Sequence, residues 1–232
     1  MALPFYLAMT AGELQEKESL PRHLAYMACH FSPYGTGLTN FPKELPADSI
    51  LIVNDRTPLR GHDPELIVRQ LVDMAESRNL RGILLDLQRP GYKEAAELAA
   101  YLVKRLPCPV IVSEAYGADL SCPIFLSPCP PDVALAEYIQ PWHNREIWLE
   151  TAMDGMEILL TGDGTARAPL PYPEFDGTEF CDETLHCHYR VELAQNAVRF
   201  TLRRTREDLD ALLKEAESLG IAAAVGLWQE FG

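Results

Sequence analysis

Arg81-Gly82-Ile83-Leu84-Leu85-Asp86-Leu87-Gln88-Arg89-Pro90 is the stretch on which the reading of this chain turns. From Ile83 to Leu87 every residue but Asp86 is a branched aliphatic, the pattern of a strand buried on both faces in a parallel sheet. The strand ends by presenting Asp86, Gln88 and Arg89 at its tip. In an α/β barrel the C-terminal tips of the strands carry the binding and catalytic groups.

Similar short apolar segments recur at Phe5–Met9, Ala25–Phe31, Ile50–Asn54, Val110–Ser113, Ile124–Leu126, Ile147–Glu150 and Ala222–Trp228. With the first stretch they make eight, the number a closed barrel needs, and amphipathic helices alternate with them. One helix is expected from Asp63-Pro64, an N-cap followed by proline at the first helical position, with Leu66, Ile67, Leu71, Met74 and Ala75 on one face. A second runs from about Tyr92 to Leu106. A third follows a capping box of Thr205 and Asp208 and stops at Gly220.

Two departures from a regular barrel are expected. Only nine residues, Glu114 to Cys122, separate the fifth and sixth strands, fewer than a parallel crossover normally uses, so that helix is missing or vestigial. Between Ile147 and Leu202 the pattern turns antiparallel. Asp154-Gly155 predicts a two-residue hairpin joining Trp148–Ala152 to Met156–Leu160. After a proline-rich loop (Pro169, Pro171, Pro173), a second hairpin pairs Leu185–Leu193 with Val198–Leu202 around Gln195-Asn196. The expectation is one domain over residues 1–232, an irregular TIM-like (β/α)8 barrel, with a β-rich hairpin insertion at 147–202 before the last helix and strand.

The chain has 34 acidic against 20 basic residues, a formal charge of −14. That excess argues against nucleic acid, whose phosphates call for clustered Lys and Arg, and against an anionic membrane surface. Six cysteines without a C-x-x-C pair read as reduced thiols. Met1 to Leu7 lacks a basic segment and a small-residue cleavage site, so no signal peptide is read and a cytoplasmic location is expected.

The segment Ser49 to Asn54, the helix to Asn79 and the strand Gly82 to Pro90 together resemble the third strand, helix and fourth strand of chitinase-type (family 18) glycoside hydrolases. The family signature there is D-G-x-D-x-D-x-E, often followed by an aromatic residue and proline. Gly82, Asp86 and Pro90 match it; Arg81 and Leu84 replace the first two aspartates, and Gln88 replaces the glutamate. A β-rich insertion before the last strand and a tryptophan on that strand, here Trp228, are further points of likeness. In that family the glutamic acid protonates the glycosidic oxygen, and the aspartate before it steers the substrate's acetamido group, which acts as nucleophile. A carboxamide at position 88 can hydrogen-bond to that oxygen but has no proton to give it. Loss of such acid catalysis removes about 10²- to 10⁴-fold in rate.

The first functional reading is therefore a carbohydrate-binding, glycosidase-like barrel that has lost the family's acid catalysis and takes a small carbohydrate or glycan fragment. Asp86 and Gln88 would contact the sugar, with Asp55, Arg89, Tyr116, Trp228 and Tyr34 as further binding residues. The second is an active glycoside hydrolase whose acid–base pair has moved to Glu114, Glu150 or Asp86. The third is a protein-interaction scaffold, a homodimer among its forms, that uses the hairpin insertion. Asp86 also has a purely structural reading, paired with Arg89 or Arg56. His186-Cys187-His188 puts two imidazoles on one strand face, but no third ligand is marked, the histidines are expected in solvent, and no metal or cofactor is assigned. Gly35-Thr36-Gly37 and Gly162-Asp163-Gly164 read as turns, and Cys129 lacks a basic partner that would activate it.

Overall fold

The computed structural model describes residues 2–17, 19–59, 61–89, 92–171, 173–175 and 177–231. Its elements, in chain order, are β1 (Phe5–Met9), α1 (Ala11–Glu16), β2 (Leu24–Phe31), β3 (Leu38–Thr39), β4 (Ile50–Asn54), α2 (Pro64–Arg78), β5 (Gly82–Asp86), α3 (Lys93–Arg105), β6 (Val110–Ser113), α4 (Glu114–Gly117), β7 (Ile124–Leu126) and α5 (Leu135–Ile139). After a 3₁₀ turn at Gln140–Trp142 come β8 (Ile147–Thr151), β9 (Asp154–Thr161), β10 (Gly164–Pro171), β11 (Phe180–Asp182), β12 (Cys187–Ala194), β13 (Ala197–Arg203), α6 (Arg206–Ser218), β14 (Ala223–Leu227) and α7 (Trp228–Phe231). The chain divides into two compact units. One comprises Pro4–Ser127, Asn144–Glu150 and Ala222–Gly232, and the other Met1–Leu3, Pro128–His143 and Thr151–Ile221.

The first unit is a barrel. Its strands run in the order β1-β14-β8-β7-β6-β5-β4-β2, and the ring closes because β1 pairs in parallel with β2 as well as with β14. Residue alternation sorts each strand into two sets. Ile50, Ile52 and Leu84 join Tyr6, Ala8, Phe125, Trp148 and Val225 in one cluster that fills the interior. Leu51, Val53, Ile83, Leu85 and Leu87 join Ile67 and Leu71 of α2 and Leu98 and Leu102 of α3 in an outer layer. Burying one such leucine or isoleucine contributes about 1.5–3 kcal/mol. The interior is a packed core in which Tyr6 and Trp148 stack with ring centroids 5.3 Å apart.

Gly82 is required by the close approach of the neighbouring strand. A Cβ there would lie 2.9 Å from the Pro109 carbonyl oxygen and 3.3 Å from Ile111 Cδ1. The helix signals act as expected: Asp63 accepts from the Glu65 N–H at 3.0 Å, and α2 ends at Asn79 with φ +50°. Thr205 and Asp208 form the reciprocal cap of α6, and Gly220 follows it at φ +78°.

Between β6 and β7 the helix is vestigial, a single turn at Glu114–Gly117. Its missing hydrogen bonds are supplied by Arg145, whose guanidinium donates to the carbonyls of Ala118 (3.0 Å), Gly117 (3.3 Å), Leu120 (2.5 Å) and Cys122 (2.6 Å).

The hairpin predicted at Asp154-Gly155 is not formed, and Trp148 to Thr151 is a barrel strand paired in parallel with β7. A two-residue I′ turn needs φ > 0 at both central residues, and neither Asp154 nor Gly155 has it. Gly155 is instead needed for packing, since a Cβ there would meet Pro173 Cγ at 2.5 Å and the Leu202 carbonyl oxygen at 2.6 Å. The β-rich block accordingly begins at Asp154 rather than at 147, and its first hairpin turns through Gly162-Asp163, with Thr161 paired to Gly164. Pro169 and Pro171 lie in β10, an edge strand, where a missing N–H costs no ladder bond. The hairpin around Gln195-Asn196 forms where expected, with Ala194 opposite Ala197.

This second unit holds an antiparallel sheet in the order β10-β9-β13-β12-β11 together with α5 and α6. Glu157, Arg199, Glu192 and Arg190 form an ion ladder on one face. Arg204, only 4% exposed, is the polar hub. It donates to the carbonyls of His186 (3.2 Å), Leu185 (3.3 Å) and Pro130 (3.2 Å), and to that of Cys129. The expectation of solvated histidines is corrected: His186 meets Glu215 at 2.6 Å, His188 meets Asp208 at 2.8 Å, and both side chains are mostly buried. Leu193, on the same strand as His188, is 83% exposed.

Candidate functional site

The C-terminal tips of the barrel strands surround a cavity of about 50 Å³, lined by Ala8 (β1), Met27 (β2), Asn54 (β4), Asp86 (β5), Phe125 (β7), Glu150 (β8) and Leu227 (β14), among others. Asp86 sits two residues above Leu84 on the inward face of β5 and beside Asn54, its partner in the β4–β5 register. The position where the resemblance expects a second aspartate therefore holds an aliphatic group, fully buried in the interior. Gln88 continues the same face and donates from Nε2 to Asp86 Oδ1 at 2.5 Å. Burial pushes the Asp86 carboxyl above the usual aspartate range; the Gln88 bond works against this and the neighbouring Asp55 charge adds to it.

The other expected residues are placed as follows. Asp55 is buried and accepts from the Arg89 backbone N–H at 2.8 Å, while the Arg89 guanidinium donates to the Arg56 carbonyl at 2.7 Å. These bonds lash the tips of β4 and β5 together, and Asp86 takes its hydrogen bond from Gln88 rather than from an arginine. Tyr116 uses its hydroxyl on the loop beyond β5, donating to the Arg89 carbonyl and accepting from the Tyr92 N–H at 3.2 Å. A stacking role for its ring over the mouth is not what this geometry provides. Pro90 of the motif lies outside the described residues. Glu114 opens α4 and is half-buried, without lining the cavity.

Trp228 does not line the mouth. It opens α7, just past the end of β14, whose inward residues are Val225 and Leu227. Trp228 packs against the outer layer, and Lys17 Nζ lies 4.7 Å from the centroid of its ring. Tyr34 is 99% exposed, and its backbone N–H donates to Ser32 Oγ at 3.3 Å.

Two polar residues of the rim were missed. Asn54 donates to the Met27 carbonyl at 2.9 Å and accepts from the Arg56 N–H at 3.1 Å. Ser113, buried, donates to the Leu87 carbonyl at 2.7 Å and so splints β6 to the end of β5. Both end an aliphatic run with a hydrogen-bonding group, which was the available signal. Chemically, the rim offers acceptors and amide donors together with two carboxylates, Asp86 and Glu150, on one small cavity.

Comparison with solved structures places this architecture among the glycoside hydrolase family 18 barrels. A chitinase from Chromobacterium violaceum aligns with TM-score 0.61 at 11% identity over 98% of this chain and 94% of that one. The spore cortex-lytic enzyme SleL of Bacillus cereus aligns with TM-score 0.58 at 13% identity, over 98% of this chain and 70% of the enzyme. A doubly substituted family 18 chitinase from Cycas revoluta, solved in complex with (GlcNAc)4, gives TM-score 0.57 at 12% identity over 98% and 94%. No protein-family model and no curated protein sequence matches the chain. The chain thus has the fold of the chitinase-type glycosidases, and at these identities the likeness is one of fold. Among the described residues no helix is long and apolar enough to cross a membrane.

Proposed function

We propose that the barrel binds a short N-acetylated carbohydrate at its mouth and does not hydrolyse it. The observation that carries this reading is the Gln88–Asp86 hydrogen bond above Leu84. The rim keeps groups that can orient a sugar, while the position expected to release a proton holds a carboxamide, which cannot do so. The cavity of about 50 Å³ exceeds the roughly 30 Å³ of one liquid water but is far below the 300–1,000 Å³ typical of a pocket that engulfs a ligand. A pyranose would rest on the rim and insert only a side group, of the size of an acetamido methyl, towards Asp86. A glutamate-to-glutamine exchange is one of the two substitutions in the Cycas revoluta chitinase solved with (GlcNAc)4, so a missing glutamate and a bound oligosaccharide coexist in that protein. The protein acts in the cytoplasm, where glycan fragments rather than polymers are met; the six free cysteines agree with a reducing compartment.

The test is calorimetric titration with (GlcNAc)4 beside a turnover assay on an aryl chitobioside. Saturable binding that weakens at least about tenfold in Asp86→Ala, without turnover, supports the proposal. Turnover at the level of an active chitinase, or no heat at millimolar sugar, ends it.

A second reading has its own observation: Asp86 and Glu150 line the same cavity, and Asp86 holds its proton more firmly than an ordinary aspartate. Such a pair could act as acid and base. It requires turnover that disappears in Glu150→Gln. The scaffold reading rests on Phe180 and Leu193, 50% and 83% exposed on the sheet of the second unit; a dimer abolished by Leu193→Asp would favour it.

A further inference from the structure

We propose that Cys181, His188 and Asp208 form a binding site for one divalent transition-metal ion of the zinc class, with a fourth position open to water. The site lies wholly within the second unit and is independent of the barrel mouth. Cys181 and His188 stand directly opposite each other in the β11–β12 ladder, so their side chains leave the same face of the hairpin. Asp208 comes from the first turn of α6. One donor atom of each residue lies within 4.8 Å of the other two. Tetrahedral coordination with bonds of about 2.0–2.3 Å sets donors roughly 3.3–3.7 Å apart, so side-chain rotations alone would close the site.

The ligands are prepared for a cation. Asp208 Oδ2 accepts from the backbone N–H and the hydroxyl of Thr205, both at 2.8 Å, which fixes the carboxylate before an ion arrives. His188 Nδ1 already lies 2.8 Å from that oxygen, and the ion would take the place of the proton held between them. Cys181 is exposed and provides the entrance. The carboxylates of Asp208, Glu183, Asp182 and Glu179 act electrostatically on Cys181, a negative surrounding that favours a cation. Arg203, across the ladder from His188, is engaged with Glu179 at 2.8 Å. Sulfur, imidazole and one carboxylate select zinc or cobalt over magnesium or calcium. A bound ion would tie the β11–β12 hairpin to the start of α6. The adjacent pattern His186-Cys187-His188 points to the wrong pair, because Cys187 is fully buried and His186 is committed to Glu215.

The experiment uses the full chain, stripped with a chelator and titrated with Co²⁺ alone. The expected result is one ion per chain, with a sulfur-to-cobalt charge-transfer band and the visible bands of tetrahedral cobalt. Cys181→Ser, a change at an exposed position, should abolish the charge-transfer band and weaken binding at least about tenfold; Cys129→Ser should leave both unchanged. Zn²⁺ should raise the urea midpoint of the parent protein and not that of Cys181→Ser. Absence of a thiolate band at saturating cobalt, or a band that survives in Cys181→Ser, overturns the proposal. His188→Gln provides a second variant at a residue outside the α6 cap.

Discussion

Replacing Arg145 with methionine tests how the barrel tolerates a missing crossover helix. The guanidinium reaches four carbonyls of the Gly117–Cys122 segment, and its two shortest bonds, 2.5 Å to Leu120 and 2.6 Å to Cys122, go to half-buried residues. A hydrogen bond to a charged group contributes about 1.5–3 kcal/mol, and an unsatisfied buried carbonyl costs a similar amount. Ala118 is exposed, so its carbonyl can turn to water, and the 3.3 Å bond to Gly117 is weak. Counting only the two short bonds, the variant should lose about 3 kcal/mol. With a urea slope of about 2–3 kcal/mol per molar, the unfolding midpoint should fall by roughly 1 M without a change in slope. A local readout accompanies the global one. Burial holds the Cys122 thiol up while Arg145 pulls it down, so removing Arg145 makes the thiol intrinsically less reactive. Faster alkylation of Cys122, mapped by mass spectrometry and by up to about 10²-fold, would therefore report opening of the segment rather than a change in thiol chemistry. Lysine at 145 should recover only part of the loss, since one ammonium cannot span four acceptors. A midpoint shift below about 0.3 M with unchanged Cys122 labelling would refute the reasoning and mean that water already satisfies those carbonyls.

Three further outcomes are expected. Asp86→Asn should stabilise the protein at pH 7–8. The Asp86 carboxyl is raised in the fold, so its charged form opposes folding above its folded pKa and costs nothing below the ordinary aspartate range. The gain should thus shrink as pH falls through that window in urea melts, and an equal gain at low pH would contradict burial of the charge as its cause. Gln88→Glu should leave aryl-chitobioside turnover at least about 10²-fold below that of an active chitinase, because Leu84 supplies no carboxylate beneath Asp86. The added charge beside Asp86 should also make the variant less stable at neutral than at acid pH, checked by the same melts. Gly82→Ala should cost about 1–3 kcal/mol in thermal unfolding, since its methyl would press on the Pro109 carbonyl at 2.9 Å.

The alternation of buried runs with capped helices was sufficient to place all eight barrel strands and three long helices, because strand burial and helix capping are local properties written into adjacent residues. The stretch from Gly82 to Gln88 also announced the mouth and its missing acid. Asp154-Gly155 was misread because glycine serves two purposes, positive φ and close approach, and only the Pro173 and Leu202 neighbours reveal which applies. Leu227 ends β14 and lines the mouth, whereas Trp228 opens α7 and packs on the outer layer; which of them looks into the barrel was settled by where the strand stops. Arg145, Arg204 and the Cys181–His188–Asp208 cluster join groups distant in the chain. No local pattern encodes such convergence. The sequence by itself determined which segments are strands and helices and that position 88 carries no acid, since those follow from residue type and spacing. The tertiary structure alone decided which polar groups meet, how little room the mouth leaves and where each aromatic points, because these depend on strand register and on packing across the fold.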